Sequence, residues 1–304
     1  MNYLLNVRTF ELLAKECSAI IKQKYCPIFI LFRGCQEMKF GIIGFGNIGG
    51  LFLEKILTLD FVEKIFVNDK QSSKLKKIEG LEKVEILKTP QEICKKSDYI
   101  LLSVKPQDFG DLFNQIKDVD FSQKVIISPI TGLKIQKLEA LKNSKNIARI
   151  MPNLPCYIGK GTIGIAYSDT FEIERKDRLI QLLSTLGEVE EFEEYKFSAL
   201  TSYIGSAPGI IFLLIEAFID SGIKLGLSAE QSKKIAIQNL IGSSEMLKEL
   251  DKEPSELRKM VCSPSGTTIE AVYSLEKSGV RGDLMESFVK AFEKAKFLEK
   301  EAEK

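Results

Sequence analysis

A chain of 304 residues suits one large domain or two modest ones, and 44% hydrophobic with 28% charged residues is the balance of a soluble globular protein. The 43 basic and 42 acidic residues leave a formal net charge of +1, so no whole-chain field favours nucleic acid or an anionic membrane. There is no histidine, which removes His-based general acid–base catalysis, His-bearing triads and His metal ligands.

Residues 1–37 hold three of the six cysteines and a weakly amphipathic stretch from Phe10 to Ile21, and match nothing in the pattern that follows. Met38 then opens a strand at once, so this segment is expected to be an artefactual or dispensable extension, with Met38 as the real start. Cysteines at 17, 26, 35, 94, 156 and 262 show no C-x-x-C spacing, which argues against zinc or thioredoxin-type chemistry. They read as reduced thiols of a cytoplasmic protein, and no metal is expected. No apolar run approaches the ~20 residues of a membrane span, and no membrane partner is expected.

From Met38 short apolar runs alternate with helical stretches. Strands are expected at 38–44, 64–68, 84–87, 99–104, 124–128 and 146–150, and a further pair at 161–166 and 188–192 flanks a helix from about Glu174 to Leu186. Such alternation builds a parallel sheet covered on both faces. The pattern changes near Glu194, after which helices are expected at 208–221, 228–250, 254–260, 267–278 and 281–302. Ser228 with Gln231 makes a capping-box start for the second. The reading is an α/β Rossmann-type N-terminal domain over 38–193 and an all-α C-terminal domain over 194–304.

Gly44-Phe45-Gly46-Asn47-Ile48-Gly49 is G-x-G-x-x-G. It follows an apolar strand and opens a helix expected from Ile48 to Leu59, the context that gives this motif its meaning. The first glycine permits the tight turn, the second lets backbone approach a pyrophosphate, the third allows close helix–strand packing, and free N–H groups at the helix start receive the phosphate charge. At the end of the second strand lie Asn68, Asp69 and Lys70. Asp69 stands 20 positions after Gly49, where an acidic residue commonly holds the ribose hydroxyls of NAD. Lys70, Ser72, Ser73 and Lys74 offer a cationic bed for a 2′-phosphate. The cofactor is therefore NADPH or NADH, and the direction in which Asp69 points decides between them.

Four later motifs make a specific set: Ser103-Val104-Lys105-Pro106-Gln107, Ala148-Arg149-Ile150-Met151-Pro152-Asn153, Gly222-Ile223-Lys224-Leu225-Gly226-Leu227, and Val261-Cys262-Ser263-Pro264-Ser265-Gly266-Thr267-Thr268-Ile269-Glu270. In this order they resemble the pyrroline-5-carboxylate reductase family, from Met38 to about Phe297. Two departures stand out. The family's usual Ser-Gly-Ser-Gly-Pro-Ala is here Ile204-Gly205-Ser206-Ala207-Pro208-Gly209, and the usual Ser-Pro-Gly-Gly-Thr-Thr has Ser265 at its first glycine, which constrains the backbone if φ > 0 is needed there.

The resemblance implies hydride transfer from NAD(P)H to the C=N carbon of 1-pyrroline-5-carboxylate, giving L-proline in the last step of proline biosynthesis. It places Ser103, Val104, Lys105 and Pro106, and likewise Pro129, Ile130 and Thr131, against the cofactor. It places the substrate on Ser263, Gly266, Thr267 and Thr268, with the Thr268 hydroxyl as the catalytic group at the ring nitrogen and Glu194 as an acidic neighbour. From residue chemistry alone, Ser263, Thr267 or Thr268 would serve equally as plain helix caps, Glu194 as a solvated charge, and Asn153 as a turn former or a nicotinamide contact. Ile210 to Ile219 is apolar almost all round, as in a helix buried on every side. The resemblance reads it as part of a dimerisation domain, with a homodimer or a ring of dimers as the assembly. A related reductase of another cyclic imine or small carbonyl, and a non-catalytic NAD(P)-sensing protein, are the other readings.

Overall fold

The structure, a computed structural model, describes residues 37–303; the extension expected over 1–37 lies outside the described residues apart from Glu37. Eight strands form one sheet: β1 (Met38–Ile43), β2 (Val62–Asn68), β3 (Val84–Ile86), β4 (Tyr99–Leu102), β5 (Val125–Ser128), β6 (Asn146–Met151), β7 (Gly161–Tyr167) and β8 (Gly187–Glu191). Their spatial order is β3-β2-β1-β4-β5-β6-β7-β8. The first six follow the doubly wound Rossmann order, with its topological switch between β1 and β4.

The central strands are short and buried along their length, and mostly apolar apart from Asn146 and Arg149 of β6, because helices cover both faces of a parallel sheet. Tyr99–Leu102 and all six residues of β6 are buried. Every neighbouring pair is parallel except β6–β7. That reversal has a local cause. Only a short helical turn, Leu154–Ile158, joins the two strands, and a parallel return needs a crossover of a dozen or more residues.

Five helices accompany the sheet: α1 (Asn47–Ile56), α2 (Pro90–Lys96), α3 (Phe109–Ile116), α4 (Ile135–Glu139) and α5 (Ile173–Leu183). α2 starts on a capping box in which Thr89 and Glu92 satisfy each other's backbone N–H. The core lies where α1 and α5 meet the sheet, around Phe40, Ile42, Phe52, Ile65, Leu101, Ile150 and Leu182.

The described chain divides into two compact units. One closes at Leu200 and includes Ala295 onward; the other is Thr201–Lys294. Helical structure is continuous from Glu194 to Lys224. It comprises a short turn at Glu194–Lys196, α6 (Phe197–Leu200), a π-helical turn at Thr201–Gly205 and α7 (Ala207–Lys224). α8 (Ala229–Leu250), α9 (Pro254–Val261), α10 (Thr267–Lys277) and α11 (Val280–Glu303) follow. The expected capping box at Ser228 and Gln231 is present at the start of α8.

The Glu194–Lys224 run corrects the expectation that no segment approaches the length of a membrane span: by length and composition alone it is long and apolar enough. Interspersed Ser, Thr and Gly hide this in a simple search for unbroken apolar residues. In the single chain α7 buries only Pro208, while Phe212 and Leu213 are 50% and 65% exposed. Gly222 of α7 lies so close to Ser232 of α8 that a side chain there would collide with the serine hydroxyl.

Candidate active site

The expected cofactor residues sit at the carboxyl ends of β1, β2, β4 and β5, the ligand-binding end of an open α/β sheet. Gly44 adopts φ 97°. A Cβ at Gly49 would run into the Gly44 carbonyl, whereas one at Gly46 would meet nothing within 4 Å. The three glycines thus do what their spacing implies: one turns, one leaves its approach open, one packs. α1 begins at Gly46 with no side-chain cap and no acidic residue in its first turn, so its leading N–H groups suit a pyrophosphate. These observations fit a dinucleotide.

Ser103 joins this loop directly, its Oγ donating to the Gly44 carbonyl at 2.7 Å. Val104 is half-buried, and Lys105 and Pro106 are exposed at the start of the Pro106–Asp108 turn. Pro129 and Ile130 are buried and Thr131 is half-buried, so the first two can offer a cofactor little but backbone. Phe45 is buried at 4% exposure, its ring covered by Lys77 with Nζ at 5.2 Å from the centroid. Asn47 and Ile48 stand in the first turn of α1, and the Asn47 carbonyl accepts a hydrogen bond from Tyr157 Oη at 2.9 Å. Tyr157 escaped the sequence reading, since a tyrosine 110 positions away carries no local signal.

At the end of β2, Asn68 donates from its side chain to the Leu87 carbonyl, spanning to the edge strand. Asp69 turns toward the glycine loop. Its Oδ2 accepts from Phe45 N–H at 2.6 Å, its Oδ1 from Gln71 N–H at 2.7 Å, and Lys74 Nζ lies 3.6 Å from Oδ2. Lys70 pairs with Asp108 at 2.6 Å.

Glu194 is not a free solvated charge. Its Oε1 accepts from Ile135 N–H at 2.7 Å and from Arg149 Nη1 at 3.0 Å. Arg149, 2% exposed within β6, also reaches Glu299 at 3.4 Å and stacks over Phe197 with its guanidinium carbon 4.6 Å from the ring centroid. Ser198 Oγ completes the cluster on Glu299 Oε2 at 2.7 Å. Nothing local in the sequence marks Arg149, because the two acidic residues that converge on it lie 45 and 150 positions away. Asn153 Oδ1 accepts from Thr162 N–H at 3.0 Å, tying the end of β6 to the start of β7.

In the other unit, Ser263–Thr268 forms the loop that starts α10. Ser265 has φ 58°, the left-handed region that glycine tolerates best. Gly266 N–H closes a turn onto the Ser263 carbonyl at 3.1 Å. A Cβ at Gly266 would strike the Ser263 hydroxyl. Gly266 is the N-cap of α10 and no side chain caps it. The plain-cap alternative for Ser263, Thr267 and Thr268 therefore has no hydrogen bond behind it. Thr267 and Thr268 occupy the first helical turn, with Thr268 half-buried. Cys94 and Cys156 are buried free thiols, Cys94 pushed up to about 12 by burial and Cys156 raised for the same reason. Neither is poised as a nucleophile.

A Rossmann sheet with an uncapped glycine-loop helix, joined to a helical unit, defines an oxidoreductase that binds a nicotinamide dinucleotide. Residues 39–132 match the family described as NADP oxidoreductase, coenzyme F420-dependent, and residues 194–298 match the pyrroline-5-carboxylate reductase dimerisation family. Pyrroline-5-carboxylate reductase of Aquifex aeolicus is 34% identical over 262 residues, covering 86% of this chain and 97% of that protein. That of Methanosarcina acetivorans is 30% identical, covering 87% and 99%. The crystal structure of Plasmodium falciparum pyrroline carboxylate reductase with NADP bound superposes with a TM-score of 0.78 at 30% identity, covering 88% of this chain and all of that one. This chain belongs to the pyrroline-5-carboxylate reductase family.

Proposed function

We propose that the protein reduces 1-pyrroline-5-carboxylate to L-proline at the expense of NAD(P)H, the last step of proline biosynthesis, with the named residues in the following roles. The observation that carries the reading, beyond family membership, is the start of α10. It is an uncapped helix N-terminus behind a Pro-Ser-Gly turn, with two threonines in its first turn. Its unfilled N–H groups and helix dipole suit the substrate carboxylate without an arginine.

Bound NAD(P)H supplies the hydride. Gly44, Phe45, Gly46, Asn47, Ile48 and Gly49 hold the pyrophosphate. Asn68, Asp69 and Lys70 line the adenosine end, and Ser103–Pro106 with Pro129–Thr131 form the remaining wall. Ser263, Gly266, Thr267 and Thr268 hold the substrate, and the Thr268 hydroxyl orients the ring nitrogen. A threonine hydroxyl is a poor net acid near neutral pH, so the imine binds already protonated or takes its proton through water. Most of the rate then comes from fixing donor and acceptor in register. A direct contact of Glu194 with the substrate competes with its ion pair to Arg149.

The assembly belongs to the same proposal. The apolar residues that α7 leaves exposed in one chain are covered by the helical unit of a second copy, giving a homodimer or a ring of dimers. The dimerisation domain is read as starting at 194, ahead of the break between compact units after Leu200 and with Ala295 onward packed in the first unit, and residues 1–37 are expected to be dispensable. A cytoplasmic location accords with the free thiols. The test is oxidation of NADH and of NADPH with pyrroline-5-carboxylate, then with piperideine-type and keto-acid substrates. Turnover with pyrroline-5-carboxylate is expected. Turnover with the others alone would point to a related imine or carbonyl reductase, and none at all to an NAD(P)-sensing protein.

A further inference from the structure

We infer that Asp69 makes this protein selective for NADH over NADPH. The inference rests on the glycine loop being the cofactor site, as proposed above.

Asp69 follows the last residue of β2 and its side chain is 7% exposed. Both oxygens are pinned by backbone: Oδ2 by Phe45 N–H of the glycine loop, Oδ1 by Gln71 N–H two residues on. Each carboxylate oxygen has two lone pairs, so one acceptor site remains on each. That is the complement of two vicinal ribose hydroxyls, which are donors. A 2′-phosphate has no proton to give at neutral pH and carries about −1.5 to −2 charge, as other phosphate monoesters do. Placed against this carboxylate it would find repulsion where the hydroxyl finds a hydrogen bond.

The carboxylate cannot turn aside freely. Swinging away would break two charge-assisted bonds to backbone amides, among the stronger hydrogen bonds in proteins, and would leave Phe45 N–H without its partner. The lysines of the cationic bed are also engaged with other groups. Lys70 is paired with Asp108, Lys74 faces Asp69 itself, and Lys77 lies over the Phe45 ring. Both lysines that the sequence offers to a 2′-phosphate, Lys70 and Lys74, face a carboxylate, and Asp69, held by two backbone N–H groups, is the fixed charge beside the loop.

The test measures the dissociation constants of NADH and NADPH for the full chain by fluorescence titration, alongside kcat/KM for each with pyrroline-5-carboxylate. Wild type is expected to bind NADH at least tenfold more tightly than NADPH. Asp69→Ser should remove most of that ratio, weakening NADH and strengthening NADPH, with Asp69→Asn as a second variant of nearly unchanged shape. Equal or tighter binding of NADPH by wild type overturns the inference. So does an unchanged ratio in a variant whose thermal unfolding matches wild type. Because binding is read separately from turnover, NADH selectivity without pyrroline-5-carboxylate reduction would sink the proposed reaction and leave this inference standing; reduction with an NADPH preference would do the opposite.

Discussion

Replacing Arg149 by methionine should destabilise the protein by about 3 kcal/mol, the lower end of what breaking a buried ion pair costs. The figure follows from the surroundings. Arg149 is 2% exposed, and its Nη1 serves Glu194 at 3.0 Å and Glu299 at 3.4 Å. Methionine would fill much of the volume over the Phe197 ring but leave two carboxylates without their cation. Their side chains retain 29% and 19% exposure, and each keeps one hydrogen bond, from Ile135 N–H and from Ser198 Oγ respectively. Partial solvation and those surviving bonds hold the loss below the upper end of the range.

The charge logic makes a second demand. A triple variant, Arg149→Met with Glu194→Gln and Glu299→Gln, removes the uncompensated charges and should recover at least half of the loss, since replacing a whole buried ionic group is often close to neutral. Thermal unfolding followed by circular dichroism at one fixed protein concentration reads both variants, because an oligomer's melting depends on concentration. At about 2–4 °C per kcal/mol for a chain of this size class, the single variant should melt roughly 6–12 °C lower. A drop under 2 °C, or a triple variant no more stable than the single one, would refute the reasoning.

Thr268→Ala should lower kcat at least tenfold with cofactor affinity unchanged, measured by steady-state kinetics and cofactor titration; an unaltered kcat removes Thr268 from the chemistry. Ser265→Gly relieves a side chain held at φ 58°, and because left-handed backbone costs an ordinary residue roughly 1–2 kcal/mol while glycine's greater chain entropy takes back about 0.5–1, stability should rise by no more than about 1.5 kcal/mol while KM for the substrate moves by no more than about threefold. A tenfold loss in kcat/KM would mean the serine hydroxyl itself binds substrate. Cys94, with its thiol raised to about 12 by burial, should resist iodoacetamide in the native protein at pH 8 and react only on unfolding, as mass spectrometry of labelled peptides would show; prompt native labelling would contradict the buried placement.

How much of this was legible in the sequence depended on how far apart the interacting residues lie. The strands of the sheet are short, β-branched and bounded by turns, so their positions follow from composition alone; expected 146–150 and observed Asn146–Met151 differ by one residue. The glycine loop is equally local, since three glycines, a strand and a helix lie within one short stretch. The capping box of α8 needs only Ser228 and Gln231. The Ser263–Thr268 turn was legible through the family resemblance, whose usual glycine at 265 raised the question of positive φ there; the serine adopts φ 58°. The direction of β7 was not legible, because an apolar strand looks the same whichever way it runs.

What escaped altogether was long-range pairing of charge. Glu194 sits in a Glu-Glu-Phe-Glu-Glu run that reads as a solvated face, yet its carboxylate closes on a buried guanidinium and a backbone N–H. Asp69 reads as an acidic residue at a conventional distance from the glycines, but only the fold shows that Phe45 and Gln71 fix both of its oxygens. The two cases lead in opposite directions. Pairing to Arg149 draws Glu194 toward a structural role and away from the substrate assignment. Pinning by neutral amides leaves the Asp69 charge only partly offset by Lys74 and holds it beside the cofactor loop, so the residue becomes more specific in what it selects. A carboxylate's function therefore depends less on its position in a motif than on whether its partners cancel its charge or merely aim it.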